Sequence, residues 1–219
     1  MTNTIIPKFK SFNNDSNIYD GLVNLYAEEY DALHIPQIIA EILDNDNFKL
    51  LQETYCTPGV RVTGTTENGK RVVVYAHISN DFSHPENLQH AYLDIKNGAG
   101  AYPQEELYRL VKTTDEKNII TLPYDEAMSA KSGLMSLDEA FKNPHARALI
   151  GPKIAQYLEL YSRVVGDTID IYHTDDMDTI PRARLLAINL HTPKHNYGSF
   201  GGSSLSKGGC CFLGKYSHP

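Results

Sequence analysis

Gln104-Glu105-Glu106 opens a helical pattern directly after a glycine loop, Asn97-Gly98-Ala99-Gly100. A carboxylate in such a place can protonate a leaving group and then activate water, while the glycine loop lets phosphates approach backbone amides. Pro103 falls in the first helical turn, where its missing N–H costs little. Acidic residues there also complement the helix dipole, so capping alone would account for them. A second glycine-rich stretch, Tyr197–Ser204 (YGSFGGSS), follows an apolar run almost directly. Gly198, Ser199, Gly201 and Gly202 could shape an anion nest, with Phe200 placed to stack on a ring. The plainer alternative is a hairpin loop, since neither GxxxxGK[ST] nor GxGxxG is present.

Other chemistries are weaker. Cys56, Cys210 and Cys211 are the three cysteines, and nine histidines could supply a base. A nucleophilic cysteine needs that base nearby in space, and no local signature announces one. Cys210 and Cys211 open an apolar run and read as packing residues. An odd cysteine count makes a poor disulfide framework and suits a reducing compartment. His191 and His195, or His77, Asp81 and His84, could ligate a metal, yet HExxH and CxxC are absent, so neither a metal nor any cofactor is expected. The net charge of −7, without a basic run, argues against nucleic acid. No stretch approaches the ~20 apolar residues of a membrane span. The opening MTNTIIPKFK lacks a signal-peptide core, so the expected location is cytoplasmic, or secreted into a host without a cleavable signal.

These residues need elements to hold them. Residues 18–55 carry helical spacing, with Leu22, Leu25, Tyr26 and Tyr30 near one face and Pro36 separating two helices. A β-hairpin is predicted over 59–78, turning at Asn68-Gly69. Helical spacing returns in 86–96 and 104–111. Asn118–Tyr124 reads as a strand, and Ser136 with Glu139 forms a capping box. Helices broken at Gly151-Pro152 follow. Strands are predicted at 168–173, at 184–190 and from Cys210 onward. Strands alternating with helices predict an α/β layered fold.

On these motifs the chain resembles the poly(ADP-ribose) glycohydrolase branch of the macrodomains. VVVYAHISNDFSHP (Val72–Pro85) and NGAGAYPQEELYRL (Asn97–Leu110) are similar to that branch's strand, glycine loop and Gln-Glu-Glu signature, although Gly98-Ala99-Gly100 replaces three consecutive glycines. NYGSFGG is similar to its second phosphate loop. HTDDMD, with Asp175 and Asp176, resembles more loosely the bacterial effector macrodomains of the MavL type. The resemblance implies a macrodomain-like α/β fold, a mixed sheet flanked by helices, over 56–219, with an N-terminal helical extension over 1–55. It implies hydrolysis of ADP-ribose from a modified protein or polymer, and partners limited to ADP-ribose or an ADP-ribosylated protein. Glu106 would be the catalytic acid and Glu105 the ribose contact. Gln104, Asn97, Gly98, Gly100, Gly198, Ser199, Gly201, Gly202, Asp175 and Asp176 would line the ligand, with Phe200 at the adenine. The alternatives are a non-catalytic ADP-ribose or nucleotide-binding module and a cysteine hydrolase.

Overall fold

The computed structural model describes residues 8–13, 18–45, 50, 54–113, 115, 117–189, 199–202 and 211–216. The chain opens with β1 (Phe9–Asn13), α1 (Ile18–Ala27), β2 (Tyr30–Ala32) and α2 (Ile35–Asp44). Pro36 lies in the first turn of α2, and the Gln37 side-chain oxygen accepts the His34 N–H at 2.8 Å. The stripe Ile35, Ile38, Ile39 and Ile42 is buried. The hairpin of β3 (Thr54–Thr65) and β4 (Arg71–Ala76) forms where the sequence predicts it, with Gly69 at φ +80°.

Next come α3 (Pro85–Ala91), β5 (Ile95–Lys96), β6 (Ala99–Ala101), α4 (Gln104–Lys112), β7 (Ile119–Pro123), α5 (Tyr124–Ser129) and β8 (Gly133–Ser136). The Ser136 hydroxyl accepts the Glu139 N–H, as the capping box requires, and begins α6 (Leu137–Lys142). α7 (Pro144–Ile150) and α8 (Ile154–Val164) break at Gly151, which sits at φ +81°. β9 (Thr168–Tyr172), β10 (Arg182–Asn189), β11 (Ser199–Gly202) and β12 (Cys211–Tyr216) complete the described chain.

All twelve strands join one sheet, whose main order is β1-β12-β3-β10-β11-β9-β8. β2 pairs with β12, β4 bridges β3 and β7, and β6 bridges β10 and β5. Among the described strands, β9–β11 and β3–β12 are parallel and the other pairs antiparallel. One face packs Tyr55, Tyr75, Ile171, Ile188 and Phe200 against α2, α7 and α8. The other packs Val60, Val62, Val74, Leu185 and Phe212 against α1, α3 and α4.

This corrects the macrodomain-like fold with an N-terminal helical extension. Residues 9–32 supply two strands as well as a helix, and both pair with β12, near the end of the chain. Local periodicity does not reveal that ladder, because FKSFN is five residues long and its partner lies about 200 positions away. The second glycine-rich stretch is likewise a strand in part: Ser199–Gly202 is inserted between β9 and β10.

Candidate functional site

The residues first singled out for acid catalysis are engaged in ordinary structural contacts. Glu106 is ion-paired with Arg109 one turn on, and Arg109 lies 3.8 Å from Asp81. Gln104 donates through Nε2 to Thr65 O at 2.9 Å, tying α4 to the hairpin, and Glu105 is exposed. Asn97 and Gly98, at φ +52° and +85°, make the tight turn between β5 and β6. Gly100 pairs with both Ile95 and Ala183.

The acidic segment after β9 is occupied in a comparable way. Asp176, 6% exposed, accepts from two buried arginines. Arg61 Nη1 reaches its Oδ2 at 2.8 Å; Arg184 reaches Oδ2 through Nε and Oδ1 through Nη2, both at 2.8 Å. The same guanidinium groups donate to Thr174 O and Asn97 O at 2.8 and 2.6 Å. Asp175 accepts the Met177 N–H at 2.9 Å and a bond from the Tyr124 hydroxyl, and these hold its carboxyl below the usual range. Asp178 pairs with Lys96 and Arg182, which, with the Thr179 N–H, push its pKa down to about 2. Beneath this segment His145 and His173 stack at 3.9 Å. His145 Nε2–H donates to Ala127 O at 2.7 Å, so Nδ1 is left to accept from the Tyr75 hydroxyl at 2.5 Å. Burial pushes the His145 pKa down to about 4, keeping it neutral beside Arg61.

β11 explains its glycines by close approach. A Cβ on Gly201 would lie 2.5 Å from Tyr172 O, and one on Gly202 would lie 2.8 Å from Arg184 Cδ. Phe200 is 1% exposed and meets Tyr157 edge-on at 5.7 Å, so its ring belongs to the core and offers no stacking surface. Gly198 lies outside the described residues, as do His191, His195 and Cys210. Cys56 is disulfide-bonded, which corrects the expectation of reduced thiols, and Cys211 donates its thiol to Thr54 O at 3.3 Å.

What the register brings together is a row of side chains on the sheet face opposite Phe200. Thr54, Asn189, Ser199, Asp170 and Leu134 are cross-strand neighbours on β3, β10, β11, β9 and β8. Side chains alternate along each strand, so Ile188, Phe200 and Ile171 point into the core and their neighbours in this row point away. Tyr172, 53% exposed, and Leu134, 49% exposed, border the row. Two of its acceptors, Asn189 Oδ1 and Asp170 Oδ1, are shielded from water yet have no hydrogen-bond partner among the described residues. Each such group costs about 1–3 kcal/mol until a donor reaches it. Burial alone raises the Asp170 pKa. Ser199 was among the residues proposed from sequence; Asn189, Asp170, Tyr172 and Leu134 were not, because only the strand register makes them neighbours. The alternation in TIDIY was a usable signal: its isoleucines mark one face and Asp170 the other.

Larger hollows lie elsewhere. One of about 700 Å³ is lined by Leu137, Phe141, Leu158 and Arg163 on α6 and α8. Another of about 460 Å³ is lined by Tyr26, Asp31, Gln37 and Lys215 at the β2–β12 corner. Among the described residues, three or more His, Cys, Asp or Glu side chains nowhere group as metal ligands would.

No family model and no curated protein matches the chain. Among solved structures it is similar to a Nanoarchaeota protein described as accommodating massive sequence variation by the C-type lectin fold. The two are 33% identical, with a TM-score of 0.84 over 94% of this chain and 97% of the other. The chain belongs to the C-type lectin fold family. That kinship overturns the macrodomain resemblance and, with it, the ADP-ribose hydrolase function and the ADP-ribosylated partner. The short motifs NGAGAYPQEE and NYGSFGG match because a turn, a helix start and a close-packed strand need the same small and acidic residues as a phosphate site does.

Proposed function

We propose that this protein is a ligand-binding module of the lectin type, recognising a hydroxyl-bearing ligand without covalent chemistry on the outward face of β8, β9, β10 and β11. The observation that carries this reading is the near full-length kinship to a C-type lectin fold. The row Asn189, Ser199 and Asp170 supports the location, because it offers hydroxyl, amide and carboxylate groups beside the exposed Tyr172 ring. Hydroxyl ligands need such bidirectional hydrogen bonding, and an aromatic face suits the C–H side of a sugar ring.

The Nanoarchaeota protein's sequence variation suggests how such a face evolves. Strand alternation separates recognition from folding: Ile188, Phe200 and Ile171 hold the sheet, and the outward residues between them can change type at little cost.

The test is a glycan panel read by binding to immobilised wild-type protein, repeated with Ser199→Arg and Glu106→Gln. The reading expects a bound class that Ser199→Arg abolishes and Glu106→Gln leaves intact. Binding that survives Ser199→Arg, or a panel without any bound member, would overturn it.

A further inference from the structure

Resting on that reading, we infer that the ligand carries a protonated amine and that Asp170 receives it. Asp170 stands on β9 between Ser199 of β11 and Leu134 of β8. Its side chain is half-buried, and its Oδ1, shielded from water, has no hydrogen-bond partner among the described residues. Among the described residues no lysine, arginine or histidine forms an ion pair with it, whereas Asp175, Asp176 and Asp178, a few residues on, are all hydrogen-bonded or ion-paired. A half-buried carboxylate left uncompensated in this way costs stability, and burial alone moves its titration, upward. A cationic donor removes that cost, while a neutral hydroxyl removes only part of it.

A second orphan acceptor, Asn189 Oδ1, lies two strands away in the same row. Strands sit ~4.8 Å apart, so Asn189 and Asp170 are roughly 10 Å apart at the backbone. Ser199 fills the gap between them. That span suits one or two sugar rings, with a ring amine on Asp170, a hydroxyl donating to Asn189, and Tyr172 alongside. Both orphans accept and neither donates, so the face asks for a ligand rich in donors. An aminosaccharide has three donors on each ammonium group, where an N-acetylated sugar has one on each amide.

The experiment compares oligomers of glucosamine with the same oligomers N-acetylated, which differ only in the amine. Both are titrated calorimetrically into wild type, Asp170→Asn and Asn189→Ala, with and without a calcium chelator. Wild type is expected to prefer the free-amine oligomer by about tenfold or more. Asp170→Asn should lose that preference while Asn189→Ala weakens both oligomers and keeps it. Thermal unfolding of Asp170→Asn should match or exceed wild type, since an uncompensated charge is gone. Equal binding of the two oligomers, abolished by Ser199→Arg, would overturn the amine and leave the lectin reading standing. A preference that survives Asp170→Asn would also overturn it, as would binding that the chelator abolishes. If neither oligomer binds, the inference falls, and the glycan panel alone then decides the broader reading.

Discussion

Asp176 shows how much one buried side chain can organise. It neutralises one of the two guanidinium groups that surround it, and Arg61 and Arg184 each donate one further bond, to Thr174 O and Asn97 O, tying those segments together. Asp176→Asn would leave two buried cations facing an amide. Breaking a buried pair by removing one partner costs about 3–5 kcal/mol, so the urea midpoint of this variant should fall sharply. Glu106→Gln breaks only a partly exposed pair with Arg109 and should change stability by less than about 1 kcal/mol in the same measurement. The cysteines offer a separate check. Peptide mapping after alkylation in denaturant without reductant should find Cys211 labelled and Cys56 unlabelled, whereas prior reduction should expose both.

At the scale of the element, β11 is the informative strand. Its outward and inward residues differ in what they can tolerate. Phe200→Ala would open a cavity against Tyr157 and Ile188 and should cost about 3–5 kcal/mol, whereas Ser199→Ala should stay within about 0.5 kcal/mol. Gly201 has a harder constraint, because its missing Cβ is replaced by the Tyr172 carbonyl of the parallel neighbour. Gly201→Ala must push β11 off β9, and a loss of about 1–3 kcal/mol is expected from chemical denaturation. A loss no larger than that of Ser199→Ala would mean the two strands are less closely apposed than described. The glycines of β11 were legible as glycines that something approaches closely. That the approaching groups are protein atoms, not phosphate oxygens, was not, since either asks for a missing side chain.

For the whole molecule, the buried histidines set the response to acid. Burial pushes the pKa of His34 down to about 3 and those of His77 and His145 down to about 4, and it lowers that of His173 as well. The unfolded chain titrates its histidines near pH 6.5. Between there and pH 4 the unfolded state binds protons that the folded state refuses. Stability is therefore fully present above about pH 6.5 and lost as pH falls toward 4, on the order of 2–4 kcal/mol per pH unit with the sites acting together. The held-down carboxylates Asp175 and Asp178 add a second loss lower still, as pH falls through their folded pKa values. Urea midpoints at pH 7.5, 6 and 5 test this, and a flat profile across that range would contradict it.

The sequence by itself determined the local elements. The hairpin at Asn68-Gly69, the Ser136 capping box, the break at Gly151 and the strand at Thr168–Tyr172 follow from residue types within a few positions of one another. What surrounds β11 was a tertiary decision. β1 pairs with β12 across nearly the whole chain, and Asn189, Ser199 and Asp170 meet only because β11 slots between β10 and β9. Periodicity reports which face of a strand is apolar. It carries no information on which distant strand lies alongside, because that choice is made by long-range backbone pairing and shared core packing, to which neighbours in sequence contribute nothing.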